Sequence, residues 1–298
     1  MIANLFSTDN NKNLPSLPKD VKEAVSKCRE ATQEALKNRI SRMDIEFPVG
    51  TKFNVEKSAT KSKGPPSLQD FQRSDRELAR LFVDMFQPVG GDRIAVIFKD
   101  DDQAKQAKNL WKGDASAASR ILALNRGKKQ RTAKKSLGFA NKLAAELEEE
   151  KSSGPFSLPE NIEVALFVSP GPKELVVVEK ICDQVGDGTL VVLLNTRLAS
   201  ISNFGSTAAT KLFTQTFESV FHLAAAPQDA APNCLLHRAY PKDWVLARKP
   251  AVGPPKSMGR WSQRPTLEEC ASTFQSLQLS DVERGVENVV ENVASWLK

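Results

Sequence analysis

Residues 190–194 read Leu190-Val191-Val192-Leu193-Leu194, and this unbroken branched run decides the fold. A strand with one wet face alternates apolar and polar residues; this run has no polar side to turn to water. It predicts a strand covered on both faces, as parallel sheets flanked by helices require. Working outward, 162–168 predicts another strand, 172–185 a helix that begins at Pro172, and 94–98 a third strand after Gly90 and Gly91. Asp100, Asp101 and Asp102 lead from that strand into a helix carrying Ala104, Ala107 and Trp111. Nearer the start, Val21, Ala24, Val25, Cys28, Ala31, Ala35 and Leu36 recur on one helical face over 18–39. Met43, Ile45 and Phe47 then alternate with Arg42, Asp44 and Glu46, the period of a half-buried edge or antiparallel strand.

A capping box of Ser74 and Glu77 is expected to open a helix with Leu78, Leu81, Phe82, Met85 and Phe86 on its buried stripe. Later strands are expected at 217–223, 234–239 and 244–247, the last two antiparallel, which makes the sheet mixed. Thr266 with Glu269, and Ser280 with Glu283, mark two C-terminal helices. The predicted class is therefore α/β: a mixed, largely parallel sheet with flanking helices in a Rossmann-like three-layer arrangement, plus a helical C-terminal end. The expected organisation is a polar tail at 1–17, an α/β domain at 18–279 with a basic, partly mobile excursion at 113–159, and an amphipathic helix at 280–298.

Composition narrows the function classes. No apolar run reaches the roughly 20 residues that cross a bilayer. Cys28, Cys182, Cys234 and Cys270 show no paired short spacing, so buried reduced thiols are expected in place of a zinc knuckle or disulfide framework. Residues 1–13 resemble neither a signal peptide nor a full transit peptide. The net charge of +6 is concentrated in Arg126, Lys128, Lys129, Arg131, Lys134 and Lys135. Such a run suits RNA or an anionic membrane, but aromatics on which bases would stack are not interleaved with it, and Glu146, Glu148, Glu149 and Glu150 offset it. Nucleic-acid binding is not the favoured reading.

No complete catalytic set can be assembled. Asp100 and Asp102 are candidates for a metal, though carboxylates at a helix start also complement its dipole and cap free amides. Ser169-Pro170-Gly171-Pro172 occupies a strand-to-helix turn, yet Pro170 and Pro172 supply no amide for a phosphate cradle, and glycine fingerprints for a cofactor are missing. His222 and His237, the only histidines, lack metal-like local spacing. Arg238, Tyr240 and Trp244 form an aromatic and cationic group that either anchors a partner or builds a structural corner. Val289, Val293 and Trp296 give the last helix an apolar face for docking onto its own domain or onto a partner.

In order, the first helix leading to Arg42-Met43-Asp44-Ile45-Glu46-Phe47-Pro48, the 94–98 strand with its acidic turn, 165–170, 174–180, Val191-Val192-Leu193-Leu194-Asn195, Arg238-Ala239-Tyr240-Pro241 with Trp244, and Pro265-Thr266-Leu267-Glu268-Glu269 resemble one family. It is a plant, algal and cyanobacterial domain family of unknown biochemical function that includes chloroplast low photosystem II accumulation assembly factors. A related domain extends a chloroplast adenylate-kinase-like protein. The resemblance implies a chloroplast setting, in the stroma or at the thylakoid periphery, and photosystem or other photosynthetic complex subunits as partners. It carries over no catalytic residue and no cofactor. The leading expectation is a non-enzymatic assembly factor; the alternatives are an α/β enzyme binding a nucleotide or phosphometabolite at the loops after Phe98, Val168 and Leu194, and RNA or membrane binding through the basic run.

Overall fold

The branched run at 190–194 forms strand β5 (Leu190–Leu194), with four of its residues buried. The computed structural model describes residues 17–55, 67–125, 156–198, 206–249 and 255–276. Over them the chain is α/β, with nine strands in a mixed, mostly parallel arrangement and flanking helices, as the sequence predicts. It divides into two compact units, one of Ser41–Met43 and Asn54–Phe217, the other of Met1–Ile40, Asp44–Phe53 and Glu218–Lys298.

In the first unit β2 (Ile94–Asp100), β3 (Arg120–Asn125), β4 (Val164–Val168) and β5 lie in the order β3-β2-β4-β5, every pair parallel. Helices α2 (Leu68–Phe86), α3 (Asp101–Leu110), α4 (Leu175–Val185) and the short α5 (Thr207–Lys211) accompany them. Ile97, Phe167 and Leu193 pack with Leu175, Val178 and Ile181 of α4 in one apolar cluster. Two expectations are corrected here. The capping box of α2 is Ser67 with Asp70, and Ser74 lies buried inside the helix; the same spacing of hydroxyl and acid occurs twice, and the upstream copy is the one that caps. Arg120–Asn125, read as part of an excursion, is a sheet strand, its short Ile121-to-Leu124 run overshadowed in sequence by the basic residues that follow.

In the second unit β6 (Glu218–Ala225), β7 (Cys234–Ala239), β8 (Trp244–Arg248) and β9 (Lys256–Trp261) pair antiparallel in sequence order. Helix α1 (Val21–Lys37) starts at Asp20, whose side chain accepts from Glu23 N, and buries Ala24, Cys28, Ala31 and Ala35. Helix α6 (Leu267–Gln275) opens on the expected Thr266 and Glu269 box. Strand β9 escapes sequence reading because Lys256-Ser-Met-Gly-Arg-Trp is half exposed and lacks an apolar rhythm. A Cβ at Gly259 would collide with the Trp261 indole, so glycine is what lets that ring fold back.

Strand β1 (Arg42–Glu46) departs from its half-buried expectation: all five residues are buried, the three charged ones included. Arg42 remains affordable inside because its guanidinium donates to the carbonyls of Thr189 at 2.8 Å and Gly186 at 2.6 Å. All four cysteines are free and buried, as expected, and burial raises the Cys234 thiol to about 11. No helix among the described residues is long and apolar enough to cross a membrane. The basic run at 126–135 and the final helix at 280–298 fall outside the described residues, as does most of the excursion.

Candidate functional site

In the parallel unit, successive connections leave β2 and β4 toward opposite sides, which makes the gap between their C-terminal ends the topological switch point where open α/β sheets hold ligands. Lys99, near the end of β2, meets Glu174 at the foot of α4 across this gap, 3.6 Å apart. Glu174 also accepts from Gly171 N at 3.0 Å and from Asn125 Nδ2 at 3.2 Å. The Gly171 amide of the proline-rich turn is thereby taken by the protein's own carboxylate. One strand further, Asp75 on α2 accepts from Asn195 Nδ2 at 2.8 Å and from Arg197 at 2.6 Å, while Arg197 also donates to Ser169 Oγ at 2.8 Å. Ser169, Asn195 and Arg197 all take positive φ, between 50° and 56°. Left-handed residues with side chains are sparse and mildly strained, and their concentration where strands end is typical of sites that aim side chains at a ligand.

Electrostatically the crevice holds two ion pairs of unequal exposure. Lys99 is half exposed and loosely paired, whereas the Asp75 side chain is 4% exposed. Burial raises the Asp75 pKa, opposed by Arg197 and by hydrogen bonds from Asn195 and Ser169. An incoming anion would meet Lys99 and Arg197 with their carboxylates already in place, so binding requires those carboxylates to share or yield their cations.

The acidic turn caps a helix. Asp100 accepts from Gln103 N at 2.9 Å as the N-cap of α3, and Asp101 pairs with Lys105 at 2.6 Å. Asp102 is almost fully exposed, and Asp100 and Asp102 belong to no metal-sized group among the described residues.

In the antiparallel unit, α1 and the turn after β7 enclose a groove of about 410 Å³. Lys27, Glu30 and Glu34 line it on the helix side, Tyr240, Lys242 and Asp243 on the turn side. The Tyr240 hydroxyl accepts from Asn38 Nδ2 at 3.2 Å, which fixes the ring at the rim. Arg238 faces the other side of the sheet, where it pairs with Glu218 at 2.7 Å and lies 5.7 Å over the Trp244 ring. Trp244 itself is buried, 5.0 Å from His222. Of the three residues grouped in sequence, only Tyr240 reaches the groove.

A family profile described as a domain of unknown function, DUF1995, matches residues 18–272. The chain belongs to the DUF1995 family. No curated protein and no solved structure matches it. The matched span takes in both the crevice and the groove of this DUF1995 chain.

His237 forms the floor of the groove. A carbonyl only accepts, so the 2.9 Å contact to His222 O puts the proton on His237 Nδ1. Burial lowers its pKa to about 4, against the hydrogen bond to His222 and with help from Lys27 and Lys242. Because the unfolded chain takes up this proton near pH 6.5 and the folded chain only near 4, stability is full above 6.5 and falls as pH drops through this window. Stability measured by urea unfolding should fall by up to about 3 kcal/mol between pH 7 and 4 through this residue. His237→Gln should flatten that dependence; an unchanged profile would contradict it.

Sequence reading named the loops that bear Lys99, Ser169 and Asn195, but not Asp75, Arg197 or Glu174 as their partners. Strand-end position was the signal for the first three. Asp75 carries none, since it joins Asn195 only through the packing of α2.

Proposed function

We propose that this DUF1995 protein is a non-enzymatic accessory factor that helps a photosystem accumulate, acting by protein–protein interaction in the chloroplast, in the stroma or peripherally at the thylakoid. The observation that carries this reading is the groove between α1 and the Tyr240 turn. Its rim sets Lys27 and Lys242 beside Glu30, Glu34 and Asp243 around one aromatic ring, with Ala31, Ala239 and Pro241 between them, a mixed lining suited to a polypeptide segment. The ordered resemblance to photosystem accumulation factors supplies the class of partner. Affinity capture from the native organism should recover photosystem subunits, and Tyr240→Ala with Lys242→Glu should reduce recovery at least about tenfold, as loss of an interface hot spot does. Gene loss should lower photosystem subunit levels; unchanged levels together with no captured photosynthetic subunit would overturn the reading.

A second reading is favoured by the crevice: converging polar groups at the ends of β2, β4 and β5 are what a phosphate-bearing ligand of an α/β enzyme would need. Calorimetry with ATP and with inorganic phosphate separates the two. Saturable heat removed by Lys99→Met supports the ligand reading, and silence from both ligands counts against it.

A further inference from the structure

A second polar constellation lies inside the antiparallel unit. Asp44 and Glu46, two residues apart on β1, share one face of the strand. His222 on β6 stands opposite Arg238 in register, whereas His237 stands opposite Leu223, so the two imidazoles face opposite sides of the sheet. One ligand atom from each of Asp44, Glu46 and His222 lies within 4.8 Å of the other two. The three residues are 2%, 4% and 1% exposed. Side chains this deep are rarely charged without a structural or chemical reason.

The His222 ring supplies an independent pointer. Its Nδ1 is buried and has no hydrogen-bond partner among the described residues. An orphaned buried ring nitrogen is unfavourable in a folded protein, and coordination is one of the few ways to satisfy it. Arg264 reaches the same region, its guanidinium 4.7 Å over the Trp244 ring and attracted to both carboxylates.

We propose that Asp44, Glu46 and His222 form a binding site for one divalent first-row transition cation of the Mn²⁺, Fe²⁺ or Zn²⁺ class. Ligand atoms about 2.1 Å from a shared cation stand up to about 4.2 Å apart, so side-chain movements of less than about 1 Å would close the set. Two carboxylates and one imidazole suit these borderline ions; all-oxygen cages suit Ca²⁺ and Mg²⁺, and thiolates suit Cu⁺. The site is separate from the groove and does not depend on the interaction role.

The test uses the full chain stripped with chelator and dialysed, then titrated with Mn²⁺, Zn²⁺ and Co²⁺ against a competing chromophoric chelator. One equivalent should bind, and bound Co²⁺ should show nitrogen and oxygen ligation without a thiolate charge-transfer band. Glu46→Gln and His222→Gln should each weaken binding at least about tenfold, while Asp102→Asn leaves it unchanged. Absence of stoichiometric uptake by the wild-type chain would overturn the proposal, whatever the variants do. So would a thiolate band, which would move the ion to buried cysteines, or equal uptake by folded variants lacking either ligand.

Discussion

Replacing Arg197 by methionine should destabilise the protein by about 3 kcal/mol, because it strips the countercharge from a buried carboxylate. Asp75 is 3% exposed and receives its strongest charged contact from Arg197 at 2.6 Å. The hydrogen bonds from Asn195 and Ser169 would remain, but neutral donors do not replace a guanidinium against an ionised acid. Most of the loss should vanish in Arg197→Met with Asp75→Asn, since that pair leaves no buried charge. The pH dependence has a definite sign. Burial raises the folded-state pKa of Asp75, and removing Arg197 raises it further, so the group stabilises the fold only where it is protonated. The deficit of the variant relative to wild type should therefore shrink as pH falls and grow as pH rises through that pKa. A loss under about 1 kcal/mol by urea unfolding, or a deficit that deepens in acid, would refute the assignment of Arg197 as the counterion.

Trp244→Ala should cost roughly 4 kcal/mol, within the range for emptying a buried indole site. The ring is 2% exposed, and it is covered by Arg264 at 4.7 Å and Arg238 at 5.7 Å with His222 5.0 Å away. Cation contacts to a desolvated indole add to the cavity cost, so Trp244→Phe should recover only part of the loss. The same variant separates the two meanings of the Arg238, Tyr240 and Trp244 group. A large stability loss marks Trp244 as a structural corner, whereas intact stability with lost capture of a partner would mark it as an anchor. Tyr240, at the rim of the groove, should behave the other way, affecting capture with little effect on unfolding.

What the sequence alone determined is what local periodicity can encode. The unbroken apolar run at 190–194 has only one comfortable environment, a strand covered on both faces, and β5 occupies it. The α1 stripe, β7 and the Thr266 box follow in the same way, because burial period and capping chemistry act over a few residues. Where two local signals compete, the sequence is ambiguous: Ser67 and Ser74 each precede an acid by three residues, and only the length of α2 in the fold selects the first. The alternation in β1 announces a wet face, yet tertiary packing covers that face and supplies partners for Arg42 from a turn about 145 residues away. The sites belong wholly to this second kind of information. Asp75 meets Asn195 across 120 positions, and His222 meets Asp44 and Glu46 through strands from opposite ends of the chain. Charge balance among such groups depends on distance in space and on exclusion of water, and neither quantity is written in spacing along the chain.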